Sequence, residues 1–119
     1  IGGSCGPYGA ILADGSEYRP SYIDLKNNQI HSEHSSQLTQ YYQQKIEILL
    51  APRKNFRCDF LAFETIPAAI EARLIAAIMK KYPMAQYWLS FSSIEECEKA
   101  REKLKDNNQI IGFGVNCVS

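Results

Sequence analysis

Long apolar runs are missing from this chain of 119 residues, and so is any Lys/Arg run longer than a pair such as Lys80-Lys81. The first absence excludes a membrane-spanning helix, which needs about 20 consecutive apolar residues. The second, with 13 basic residues against 13 acidic ones, leaves no electrostatic footprint for a nucleic acid or an anionic membrane surface. Cys5, Cys58, Cys97 and Cys117 contain no C-x-x-C pair, which excludes a zinc ribbon and a thioredoxin-type motif. Their wide spacing within what reads as an α/β enzyme core points to reduced thiols and a cytoplasmic setting. Histidine is scarce. His31 and His34 lie three apart, with no acidic or thiol partner at metal-ligand spacing, so they read as part of a solvated loop or helix start. The opening is rich in glycine, with Gly3, Gly6 and Gly9 three apart, yet it is not the G-x-G-x-x-G dinucleotide fingerprint. Pro7 also removes an amide that a phosphate cradle would use. A strand end followed by a shaped loop is the better reading.

What is present is an ordinary globular composition, 45% hydrophobic and 22% charged, in a chain that makes one domain at most, residues 1–119. Residues 13–36 are polar and hold the turn formers Asp14-Gly15, Pro20 and Asn27-Asn28, a long βα connection. From Ser36, a plausible N-cap, Leu38, Tyr42, Ile46, Leu49 and Leu50 recur at helical spacing until Pro52. Residues 59–64 predict a strand ending in a carboxylate, Glu64. Thr65 then caps a helix with Pro67 in its first turn and Ile70, Leu74 and Ile78 as its inner stripe. Tyr87–Phe91 predicts the next strand. Ser93 and Glu96 predict a capping box that opens a helix with Cys97, Ala100 and Leu104 on one face, so Cys97 reads as a small core residue. Residues 110–117, an apolar run with two glycines, predict a buried strand covered on both faces, with Asn116 and Cys117 where it leaves the sheet.

Regular βα alternation of this kind means a parallel sheet with right-handed crossovers. Ligands of such sheets sit at the carboxyl ends of the strands, where Glu64, Asn116 and Cys117 fall. Periodicity leaves two architectures open, part of a closed barrel and an open, flavodoxin-like binding domain with a reactive Cys117.

Five blocks in order carry a resemblance. They are Gly3-Ser4-Cys5-Gly6-Pro7-Tyr8-Gly9-Ala10, Ala13-Asp14-Gly15-Ser16-Glu17-Tyr18-Arg19, Leu61-Ala62-Phe63-Glu64-Thr65-Ile66-Pro67, Trp88-Leu89-Ser90-Phe91-Ser92 and Gly112-Phe113-Gly114-Val115-Asn116-Cys117. Together they resemble the homocysteine S-methyltransferase family. The first two blocks are more similar to the branch that uses S-methylmethionine or S-adenosylmethionine than to the betaine-dependent branch. The resemblance implies a TIM (β/α)8 barrel, which takes about 250 residues, so the chain would supply about four parallel strands, the third to the sixth. It implies an internal fragment of a methyltransferase that moves a methyl group from a sulfonium donor to the homocysteine thiol, giving methionine. It also implies zinc held by three cysteine thiolates, with Cys117 matching the first, Glu64 holding the amino-acid end of homocysteine, and Thr65 and Asn116 lining the substrate site. Tyr8 either shapes that pocket or serves the structure.

The other two thiolates have no counterpart in these 119 residues, so the zinc site would be incomplete here. The connection after Ser92 is shorter than the family's. The alternative within the same lineage is a truncated, non-catalytic homologue that binds an amino acid or a protein partner.

Overall fold

The computed structural model describes residues 2–6, 23–24, 29–30, 32–51 and 60–116. In chain order the elements are β1 (Gly2–Cys5), β2 (Ile23–Asp24), β3 (Gln29–Ile30), α1 (Ser32–Leu50), β4 (Phe60–Ile66), α2 (Ala69–Met79), β5 (Tyr87–Phe91), α3 (Ile94–Leu104) and β6 (Ile110–Val115). The expected α/β class is therefore correct. Strands β1, β4, β5 and β6 form one sheet in that order, and every neighbouring pair is parallel. Strands β2 and β3 make a short antiparallel pair within the long connection.

The core lies where the helices meet one face of this sheet. In β4, Leu61, Phe63 and Ile66 are buried, whereas Phe60 and Ala62 are half-buried and Glu64 is exposed. β5 sends Tyr87, Leu89 and Phe91 into the same core. Helix α1 meets them with Leu38, Tyr42 and Ile46 of the predicted stripe, whose Leu49 and Leu50 are only partly buried, and α3 contributes Cys97 and Ala100. Burial raises the Cys97 thiol above its usual range, so it is a packed apolar residue rather than an exposed thiolate. Tyr42, Phe63 and Tyr87 form a file of edge-to-face rings linking α1, β4 and β5.

Four expectations need correction. Helix α1 begins at Ser32, one turn before the expected cap, which places Ser36 inside the helix and exposed. Helix α2 begins at Ala69, so Thr65 does not cap it and Pro67 lies just outside it. Its fully buried residues are Glu71, Ala72, Ile75 and Met79, with Ala69, Ala76 and Ile78 nearly so, while Ile70 and Leu74 are only partly buried. Strand β6 is half-buried or exposed along its length rather than covered on both faces, with Ile111 and Val115 well exposed.

The expected capping box is half present. Ser93 Oγ accepts from the Glu96 amide at 3.3 Å. The Glu96 carboxylate does not return to Ser93. Its Oε1 accepts from the Ala69 amide at 3.0 Å and its Oε2 from Lys99 Nζ at 2.8 Å. Helix α2 thus gets its N-terminal acceptor from α3, a carboxylate on a positive helix end. The other end of α2 is closed by Gln109, whose Nε2 hydrogens are shared among the carbonyls of Met79, Tyr82 and Ala85 at 2.9–3.0 Å. These two side chains tie helix α2 to α3 at one end and to the segment that enters β6 at the other.

Candidate functional site

Strand β4 loses its alternation at its carboxyl end. Phe63 pairs with Leu89 and Ile66 with Phe91, three steps on β4 against two on β5, so β4 carries an extra residue there. Thr65 absorbs it with φ 57°, the left-handed region. A β-branched residue in that region is a true outlier, at a cost of about 1–2 kcal/mol. The benefit is geometric. Glu64 stays on the open face of the sheet while Ile66 turns back into the core. Bulges beside functional sites commonly re-aim a side chain in this way.

Asn116, the residue directly after β6, supports the bulge from two strands away. Its Oδ1 accepts from the Thr65 amide at 3.1 Å and its Nδ2 donates to Thr65 Oγ1 at 2.9 Å. The Asn116 amide in turn donates to the Phe91 carbonyl at 2.8 Å, and the Ser92 amide to the Ile66 carbonyl at 3.0 Å. The carboxyl ends of β4, β5 and β6 are stitched into one rim. Two hydrogen bonds worth about 0.5–1.5 kcal/mol each are enough to offset the strain at Thr65.

Glu64 stands on that rim with its carboxylate exposed, and Ser4 Oγ of β1 reaches its Oε2 in a long 3.5 Å contact. A carboxylate in this position offers a charge-assisted acceptor to a ligand ammonium. Capping of the next helix, the other role open to Glu64, falls to Glu96 instead. The structure therefore brings Glu64, Thr65 and Asn116 together. Cys117, Tyr8, His31 and Cys58 lie outside the described residues, and of Cys5 only the backbone is described. His34 lies on α1, half-buried. Among the described residues, no group of three or more His, Cys, Asp and Glu could hold a metal ion, and no helix is long and apolar enough to cross a membrane.

Trp88 has no assigned role in the sequence reading, yet it shapes the open face below the rim. It pairs in register with Gly112, and Ser90 with Gly114. The indole lies over both glycines, and its Nε1 donates to Ser90 Oγ. A Cβ on Gly112 would come within 2.5 Å of the ring, and one on Gly114 within 2.9 Å. The signal is legible afterwards. Trp-x-Ser on one strand faces Gly-x-Gly on the next, both at period two.

Trp88 is the only tryptophan in these 119 residues, and its fluorescence is the one that responds to this contact. Gly112→Ala is expected to push the indole off the strand, red-shift its emission and lower stability by about 1–3 kcal/mol. Unchanged emission and unchanged stability would show that the ring does not rest on β6.

A groove of about 530 Å³ lies at the opposite, amino end of the strands, lined by Arg73, Lys80, Lys103 and Asp106 among others. Its Gln109 is occupied with closing α2. The rim is the better site.

With this geometry established, known proteins give it context. The family model for homocysteine S-methyltransferase matches residues 1–119. A betaine-homocysteine S-methyltransferase of Drosophila melanogaster is 32% identical over 135 residues, which cover 100% of this chain and 38% of that protein. Homocysteine S-methyltransferase YbgG of Bacillus subtilis is 34% identical over 125 residues, 98% of this chain and 36% of that protein. Among solved structures, the homocysteine methyltransferase MmuM of Escherichia coli in its metallated form superposes with a TM-score of 0.76 at 30% identity. That match covers 100% of this chain and 40% of MmuM. The chain thus spans between 36% and 40% of the length of these relatives.

Proposed function

We propose, from the premise that this chain belongs to the homocysteine S-methyltransferase family, that the full-length protein makes methionine by methylating homocysteine. The methyl group comes from a sulfonium donor, S-methylmethionine or S-adenosylmethionine. The four parallel strands are then one wall of a TIM barrel, with the site at the carboxyl ends of the strands. The observation that carries the reading is Glu64, an exposed carboxylate held on a rigid rim. It binds the α-ammonium of homocysteine and so fixes the direction in which the side-chain sulfur projects. Thr65 and Asn116 lie beside Glu64 and hold the rim on which it stands.

In the transfer, a lone pair on the homocysteine sulfur forms a bond to the donor methyl carbon. The bond from that carbon to the sulfonium sulfur breaks, and its electron pair neutralises the donor. The thiol proton goes to solvent. Bound zinc would keep the thiol ionised at neutral pH, a state that the free amino acid mostly lacks. The described residues do not form a three-ligand group for zinc. Cys117, directly after Asn116, would supply one thiolate ligand. The metallated form of the Escherichia coli relative supports a metal in the family. The opening G-P-Y-G-A block, similar to the sulfonium-using branch, supports the donor class. A reduced Cys117 fits a cytoplasmic protein.

The test is methionine formation by the full-length, zinc-supplied protein from homocysteine and each of S-methylmethionine, S-adenosylmethionine and betaine. Methionine with a sulfonium donor is the expected result. Methionine with betaine alone overturns the donor assignment. No methionine with any donor overturns the enzyme reading in favour of a non-catalytic homologue.

A further inference from the structure

We infer that Asn116 is a positioning residue: its side-chain amide holds Thr65 in the left-handed conformation and thereby sets the direction of the neighbouring Glu64 carboxylate. The inference rests on the reading of Glu64 as the ammonium acceptor and replaces direct substrate contact as the role of Asn116.

Three observations converge on it. Among the described non-glycine residues, Thr65 alone has a positive φ, and its β-branched side chain makes that conformation unfavourable without support. Asn116 addresses that residue with both ends of its amide, accepting from the backbone and donating to the side chain. The base of the clamp is itself fixed, because the Asn116 and Ser92 amides tie β6 to β5 and β5 to β4. The extra residue in β4 has to be accommodated somewhere between Phe63 and Ile66, since both are buried. Asn116 places it at Thr65, one residue after Glu64. If Thr65 relaxed to an extended conformation, the peptide following Glu64 would rotate and the carboxylate would swing with it.

Glycine adopts positive φ without steric cost, so it should remove the need for the clamp. The experiment is a double-mutant cycle in the full-length protein with Asn116→Ala, Thr65→Gly and the pair. Homocysteine KM, kcat and chemical denaturation are read for each. Asn116→Ala alone is expected to raise the homocysteine KM about tenfold with a smaller change in kcat, the factor that matches the strain released at Thr65. Thr65→Gly alone should stay within about threefold of wild type, and the pair should recover most of the tenfold loss. Asn116→Asp, which keeps the acceptor for the Thr65 amide, should lose less than Asn116→Ala.

Additive effects in the cycle would overturn the inference, because a residue that touches substrate directly gains nothing from glycine at position 65. Wild-type KM in Asn116→Ala would overturn it as well. If the wild-type protein does not use homocysteine, the proposed function fails, and the cycle read by denaturation still decides the clamp. There, Asn116→Ala should shift the unfolding equilibrium about tenfold more in the wild-type background than in the Thr65→Gly background. Equal shifts would sink it.

Discussion

Glu64→Gln in the full-length protein is expected to raise the homocysteine KM roughly 2- to 30-fold while leaving the fold unchanged. The magnitude follows from what the substitution removes. Glutamine preserves the shape of the side chain and one acceptor oxygen, but it loses the negative charge that faces the ammonium. A hydrogen bond to a charged partner contributes about 1.5–3 kcal/mol, against about 1 kcal/mol for a neutral one. Where the site is closed to water the larger figure applies, since the same charge pair is weaker in bulk solvent. Stability should change by less than about 0.5 kcal/mol, because Glu64 is exposed and the contact it receives from Ser4 is long. A substrate analogue lacking the α-amino group separates specific from general effects. It should be used equally poorly by wild type and Glu64→Gln, since it has no ammonium for the carboxylate to bind. Unchanged homocysteine KM in Glu64→Gln would return Glu64 to the role of a solvated strand-end residue.

Much of the helical layer is legible in the sequence because burial follows period. Leu38, Tyr42 and Ile46 stand four apart, and no other arrangement of α1 would cover them. The βα alternation likewise implies the parallel sheet that β1, β4, β5 and β6 form. What escapes a reading of the chain is the set of bonds made between elements. The Ser93-x-x-Glu96 pattern is the same whether its carboxylate returns to Ser93 or crosses to the Ala69 amide, and only the packing of α3 beside α2 decides. Thr65 meets every local criterion for a helix cap. Its real conformation is imposed by a register difference between β4 and β5 and by an asparagine 51 residues away. Trp88 and Gly112 are each ordinary in isolation and become a contact once the strands pair. The site shows the same division. Glu64 and Asn116 can be found at strand ends from sequence, whereas the clamp that relates them belongs to the sheet.

The largest effect on stability is expected at Phe63, where that sheet joins the helices. Phe63 is 1% exposed, 6.0 Å from the Tyr42 ring centroid and 5.7 Å from that of Tyr87, edge-to-face in both cases. Phe63→Ala should cost about 3–5 kcal/mol, from lost transfer energy and the cavity left between three elements. The two aromatic pairs contribute to that figure at about 0.5–1.5 kcal/mol each. Phe63→Leu, which fills most of the space, should cost about 1.5 kcal/mol. Against a typical domain stability of about 5–15 kcal/mol, the alanine variant sits near the edge of folding. Tyr87 supplies a second readout. Burial pushes its phenol up to about 12, although Asn107 Nδ2 donates to its oxygen and opposes the shift. With the folded value raised above the ordinary value of about 10, the native state resists ionisation. This stabilisation is complete below about pH 10 and is lost as pH rises towards about 12. A cavity beside the Tyr87 ring admits water and lowers its pKa towards the ordinary value, so Phe63→Ala should show a shallower alkaline decline in stability than wild type. Equilibrium unfolding of the full-length protein between about pH 8 and pH 12 measures both effects. A loss below about 1.5 kcal/mol with an unchanged alkaline slope would mean that Tyr42 and Tyr87 close over the gap. In that case the ring file would not be what holds β4, and with it Glu64, in place.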